Sequence, residues 1–175
     1  MSAPNEMVES PLDPIELRRT FSCFPSGVTA LCASIEDRPV GIAASSFCSV
    51  SLEPPLVLVC VAKASATWEQ LRGAPRLGIS VLSKGHDRLA RQLAGAAESR
   101  FDGVDWTVTG DGAVLLGGSA AWIECALEQE IGAGDHYIAV MRVFSAMRAR
   151  DSQPLIFHES RFRELEALER AAEAE

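Results

Sequence analysis

The chain has 175 residues, 47% of them hydrophobic, and a formal net charge of −8. That length fits one domain with a sizeable core. The acidic balance, with no offsetting basic stripe, argues against nucleic acid as the main partner, and no apolar run is long enough to span a membrane. The first residues are polar and acidic and lack a basic start followed by an apolar stretch, so no secretory signal is expected. Five cysteines, Cys23, Cys32, Cys48, Cys60 and Cys125, form no CxxC pair. They read as free thiols in a reducing cytoplasm, most of them packed as small apolar side chains.

In chain order, residues 1–11 read as a flexible lead-in, residues 12–165 as one domain and residues 166–175 as a helical tail. Asp13-Pro14 is a helix start, with Asp as cap and Pro in the first turn, and the helix is expected to end near Phe24-Pro25. Pro25-Ser26-Gly27 is a turn. Residues 28–35 and 40–44 read as two strands joined by the polar turn Glu36-Asp37-Arg38-Pro39. Ala43, Ala44, Ser45, Ser46, Ser49 and Ser51 then bring little bulk and several hydroxyls into what should be a sheet. They fit either a Ser-rich loop or a surface where a flat ligand lies close to the backbone. After Glu53-Pro54-Pro55, residues 56–62 are a continuous apolar run, expected to be a strand buried on both faces.

Lys63 to Gly73 reads as a loop and a short helix capped by Ser65 or Thr67. Those hydroxyls, free helix amides and Lys63 could hold a phosphate, or Ser65 could be an ordinary cap beside a solvated lysine. Residues 77–82 read as a buried strand, 85–95 as an amphipathic helix and 105–109 as a strand. Residues 119–131 and 136–147, joined by Gly132-Ala133-Gly134-Asp135, form the clearest hairpin in the chain. A last short strand covers 154–158, and Ser160 is expected to cap a terminal helix. Strands follow one another without regularly intervening helices, so a doubly wound sheet is not expected. A mainly β domain with flanking helices, built as a small barrel, fits better.

The chain has no GxSxG elbow, Walker loop, GxGxxG or HExxH. His86, His136 and His158 lack metal-type spacing, so no metal site is expected. His136 follows Gly134-Asp135 at the start of a strand, where an imidazole can project into a cleft or serve a purely structural role.

Six segments occur together in one order and spacing: Phe24-Pro25-Ser26-Gly27-Val28-Thr29, Gly41-Ile42-Ala43-Ala44-Ser45-Ser46-Phe47, Ser49-Val50-Ser51-Leu52-Glu53-Pro54-Pro55-Leu56-Val57, Arg100-Phe101, Gly134-Asp135-His136 and Pro154-Leu155-Ile156-Phe157. In this the sequence resembles the flavin reductase-like family, the short-chain NAD(P)H:flavin oxidoreductases that serve two-component flavin-dependent monooxygenases. The resemblance covers roughly residues 14–165. It implies an FMN-binding split β-barrel that works as a homodimer, with FMN or FAD as flavin and NADH or NADPH as hydride donor. It places Ser26, Val28 and Thr29 near the flavin, and Ala44, Ser45, Ser46 and Ser51 along the ring and ribityl chain. Cys60, Val61, Ala62, Lys63, Ser65 and Thr67 would run toward the phosphate, Phe101 would lie near the flavin tail or ring edge, and His136 would sit by the nicotinamide as the catalytic candidate. Ser80 and Phe162 depart from the family pattern, where Asn and an aromatic hydroxyl are frequent. The implied function is reduction of free flavin for a partner monooxygenase in the cytoplasm. The alternatives are a flavoprotein of this fold that keeps its FMN, and a non-catalytic flavin-binding domain.

Overall fold

The computed structural model describes residues 13–165; the expected lead-in over 1–11 and the helical tail over 166–175 fall outside them. The elements in order are α1 (Pro14–Ser22), β1 (Ser26–Gly27), β2 (Thr29–Ile35), β3 (Arg38–Ala44), β4 (Cys48–Leu52), β5 (Pro55–Ala62), α2 (Ala66–Leu71), β6 (Leu77–Val81), α3 (Asp87–Leu93), β7 (Trp106–Val108), β8 (Val114–Leu116), β9 (Ala121–Ala133), β10 (His136–Arg148), β11 (Ile156–His158) and β12 (Arg161–Arg163). The protein is mainly β. Seven strands form one antiparallel sheet in the order β3-β2-β6-β9-β10-β5-β4. Among the described residues its two edge strands, β3 and β4, share no ladder. No helix among those residues is long and apolar enough to cross a membrane.

Local chemistry explains the clearest elements. The Asp13 side chain accepts from the Ile15 amide at 3.0 Å, and Pro14 opens α1. The β2–β3 turn is only Glu36-Asp37, both at positive φ (50° and 60°), so β3 begins at Arg38. Two left-handed residues give the turn whose twist matches the flanking strands. The β9–β10 turn is likewise two residues, Gly134-Asp135, with Ala133 paired to His136.

Two core clusters lie on opposite sides of the sheet's centre. Leu31, Val59, Trp68, Leu77, Ile79 and Met141 belong to one. Ala30, Cys32, Leu82, Leu93, Val114 and Leu116 belong to the other. Strand β2 contributes to both, and β6 beside it is likewise buried on both faces, with Leu77 and Ile79 on one side and Gly78 and Ser80 on the other. Strand β5 is not: Val57, Val59 and Val61 are buried, while Leu56, Leu58 and Cys60 stay half-exposed. The expectation of double burial is corrected here because no helix among the described residues covers the second face. Next to β5, edge strand β4 exposes Val50 and Leu52.

The expected terminal helix from Ser160 is also corrected. Arg161–Arg163 form β12, paired with β11 through a two-residue turn, Glu159-Ser160, both at positive φ. Phe157 faces Phe162 across this hairpin with ring centroids 5.4 Å apart. That contact replaces a helix cap as the organising interaction. Ser80 is fully buried, and its hydroxyl accepts from the Leu116 amide at 3.0 Å. It holds β8 over β6 and is not a ligand contact. Burial pushes the Cys32 thiol up to about 12, and burial with the nearby Glu124 charge does the same for Cys125. Both act as small apolar core groups, whereas Cys23 and Cys48 are exposed.

Candidate functional site

A cavity of about 440 Å³ opens where the end of β3, the corner before β4, the end of β5 and the start of β10 converge, roofed by the end of α3. Its floor is the small-residue run Ala43, Ala44, Ser45 and Ser46. Cys60, Val61 and Ala62 form one wall, with Ser65 beyond them. His136, opposite Ala62 in the ladder, closes one side, and Arg100 stands at another. The size lies in the range of ordinary ligand sites. A floor with almost no side-chain bulk suits a flat ring lying against the backbone.

The hydroxyls on this surface do different things. Ser46 Oγ accepts from the Cys60 amide and donates to the Cys60 carbonyl, both at 2.9 Å. It locks the corner onto β5 and shapes the floor. Thr29 is buried and donates to the Ala44 carbonyl at 2.9 Å, fixing the end of β3 from behind. Ser65 Oγ accepts from the Trp68 amide at 3.2 Å and so caps α2. Ser45 is exposed on the cavity floor.

His136 Nδ1 lies 2.8 Å from Asp135 Oδ1. The hydrogen bond and charge of His136 hold the Asp135 carboxyl below the usual carboxylate range. An ionised carboxylate can only accept, so Nδ1 carries the hydrogen and Nε2 is left for a ligand. A two-residue turn delivers both groups, which pins the imidazole to the first position of β10.

Sequence reasoning gave Arg100 no role, yet it is the best-anchored cation here. Its Nε donates to the Gly95 carbonyl at 3.0 Å. Its Nη1 donates to the Gly41 carbonyl at 2.9 Å and to Thr67 Oγ1 at 2.8 Å. The guanidinium therefore ties the loop after α3 to β3 and α2. Its sequence signal was the Arg-Phe pair in a loop; only the fold shows what it reaches. The amide of Lys63, the cation expected there, donates to the Asp135 carbonyl at 3.0 Å. The Lys63 ammonium sits 5.5 Å from the centre of the Tyr137 ring, outside the cavity lining.

Of the remaining sequence-derived candidates, Thr67 and Phe101 line a second cavity of about 470 Å³ that shares Arg100 with the first. Ser26 pairs with Phe157 in the small sheet, Val28 is in the core and Ser51 pairs with Leu56 on the edge strand. None of these three lines either cavity. Gly41 sits between the cavities and has no room for a side chain. A Cβ there would meet Cys32 Sγ at 2.4 Å and Phe101 Cζ at 3.0 Å.

The flavin reductase like domain family matches residues 21–166. An NADH-dependent FAD reductase of Streptomyces globisporus is 38% identical over 168 residues, covering 93% of this chain and 91% of that protein. The reductase subunit of a flavin-dependent monooxygenase from Rhodococcus jostii is 34% identical over 155 residues, covering 89% and 80%. A further relative, from Rhizobium meliloti, is 43% identical over 138 residues, and the chain spans only 44% of its length. Among solved structures, a Streptomyces globisporus NADH:FAD oxidoreductase in complex with NAD and FAD fragments superposes with a TM-score of 0.85 at 38% identity, covering 92% of this chain and 98% of that one. With a family match across nearly the whole described fold, the chain belongs to the flavin reductase-like family.

Proposed function

We propose that this protein uses NADH or NADPH to reduce FMN or FAD and passes the reduced flavin to a partner monooxygenase. The observation that carries this reading is the small-residue cavity with His136 on one wall and Arg100 at another. No side chain accepts a hydride, so the bound flavin supplies the electron acceptor and the nicotinamide the hydride. The chain's own work is to hold two flat rings in contact, which supplies proximity and orientation. The Ala43–Ser46 floor and the backbone of Cys60–Ala62 bear the flavin ring. Arg100 and the Ser65–Thr67 segment lie on the side where its phosphate chain leaves. His136 presents Nε2 to the nicotinamide side, steadying it or exchanging a proton, with Asp135 fixing the imidazole's orientation. A site made mostly of backbone and small residues fits a flavin that must leave after reduction.

The same reading treats the fold as a split barrel acting as a homodimer. The uncovered face that carries Leu56 and Leu58 offers apolar surface for a second copy. It places the protein in the cytoplasm, in keeping with five free cysteines. It also takes residues 12–165 as the working domain, flanked by 1–11 and 166–175.

Purified protein mixed with NADH or NADPH and excess FMN or FAD should consume the nicotinamide with turnover in free flavin. No consumption with any combination overturns the reading. A protein that stays yellow through purification and consumes no nicotinamide favours the FMN-retaining alternative. In His136→Ala, turnover is expected to fall about a hundredfold with flavin affinity unchanged. Equal loss of turnover and affinity would reassign His136 to binding.

A further inference from the structure

Helix α1 has nothing beneath it. None of its residues is buried, and among the described residues one backbone bond ties it to the rest of the chain, from the Glu159 amide to the Ser22 carbonyl at 2.9 Å. Leu17, Phe21 and Phe24 follow the i, i+4, i+7 spacing of one helix face, and Phe21 and Phe24 are 69% and 80% exposed. Nine residues are too few to hold a helix in water without packing, since isolated helices shorter than about 12–15 residues are marginal.

The open side of the sheet is the reverse case, a surface with nothing over it. In the β5–β10 ladder Leu56, Leu58 and Cys60 stand opposite Arg142, Val140 and Ile138. Strand alternation puts them on the side away from the buried Val57, Val59, Ala139 and Met141. Leu58, Val140 and Ile138 are half-exposed neighbours there. Arg142 is already bonded to Glu128, at 2.7 and 3.0 Å, so this surface lacks a partner only for its apolar groups. Helix and face are also close to each other. The hydrogen bond and charge of His136 lower the Asp135 carboxyl and the charge of Arg18 adds to this, which sets α1 beside the turn where β10 begins.

We propose that α1 of each copy lies across the open β5–β10 face of the other, so that the homodimer is built by a reciprocal exchange of helices. The inference rests on the homodimer reading above. Both halves of the contact are present in one sequence, so a second copy matches them without another protein. A two-fold axis makes the contact twice, the helix of each copy on the face of the other. A phenylalanine ring buries about 150–250 Å². Phe21 and Phe24 from both copies, with the sheet that they cover, reach the roughly 1,200–2,000 Å² of a stable interface.

Sedimentation over a dilution series reads the association, and hydrogen exchange reads α1. The wild type should be a dimer whose residue 14–22 amides are protected when dimeric and lose protection on dilution to monomer. Phe21→Ser with Phe24→Ser, and separately Leu58→Ser, should each weaken association about a hundredfold. Leu56→Ser replaces Leu58→Ser if melting curves show the latter unfolded. An equimolar mixture of the helix variant and the face variant should recover association, because one intact helix and one intact face remain to meet. No recovery in the mixture, an unweakened helix variant, or α1 protection that persists in the dilute monomer overturns the exchange and leaves the homodimer reading standing. A wild type that stays monomeric at every concentration overturns both.

Discussion

Arg100→Ala should weaken flavin binding about tenfold to thirtyfold and lower stability by about 2 kcal/mol. The guanidinium makes three hydrogen bonds to three segments that are distant in sequence: Gly95 after α3, Gly41 in β3 and Thr67 in α2. Charged donors are worth about 1.5–3 kcal/mol each when buried, but Arg100 is only half-buried and solvent replaces part of the loss. The Gly41 carbonyl belongs to a buried residue and is hard to rehydrate, so it dominates the stability cost. Arg100→Lys should recover little, because one ammonium cannot span the fork that reaches Gly95 and Gly41 together. Thermal melts with and without FAD, together with flavin titrations, check both parts. Unchanged flavin affinity alongside a lowered melting temperature would make Arg100 purely structural.

The second large effect has nothing to do with ligand. Gly78→Ala should cost about 3 kcal/mol or more, enough to lower the melting temperature by roughly 6–12 °C or to leave the protein insoluble. A Cβ at Gly78 would lie 2.1 Å from the Val114 carbonyl oxygen and 2.8 Å from its carbon. Both are backbone atoms, so no side chain can swing away. The hairpin β7–β8 would have to lift off β6, stretching the bond from the Leu116 amide to Ser80. Gly73→Ala is the control: its nearest neighbour would be the Gln70 carbonyl at 3.9 Å, and its effect should stay within about 0.5 kcal/mol. Similar melts for the two variants would show that β8 does not press on β6 in solution.

Much of this arrangement is legible in residues 13–165 wherever the signal is local. The Asp13 and Ser65 caps, the small-residue run before β4 and the long hairpin ending in Gly-Asp-His all follow from neighbouring residues, and their positions hold. Features set by remote neighbours do not read out. The continuous apolar run of β5 resembles a doubly buried strand, but whether its second face is covered depends on elements far away or on another molecule. Strands β2, with its small Ala30, Cys32 and Ala33, and β6, with Gly78 and Ser80, are packed on both sides. Ser160 before a charged run looks like a helix cap until Phe157 and Phe162 pair across it. The resemblance sets Thr29 and Ser46 near the flavin, and what the sequence does not show is that each hydroxyl also bonds to backbone groups of a facing strand. Arg100 shows the reverse case, an unremarkable loop residue whose three partners come together only in the folded chain.

The two-residue turn at Gly134-Asp135 has a consequence for how this protein can vary. His136 is paired on one side with Ala133 and on the other with Ala62. Its height above the cavity floor is thus set by the sheet's repeat. An inserted residue in that turn would either be absorbed as a bulge or shift the ladder, and a one-residue shift turns the imidazole to the opposite face. The loop from Gly95 to Phe101 is held by side chains rather than by a ladder: Arg100 binds the Gly95, Gly41 and Thr67 oxygens, and the Gln92 amide donates to the Ser99 and Asp102 carbonyls at 2.9 Å. An insertion beside His136 therefore changes which face the imidazole presents, whereas a substitution within the turn leaves the ladder register as it is.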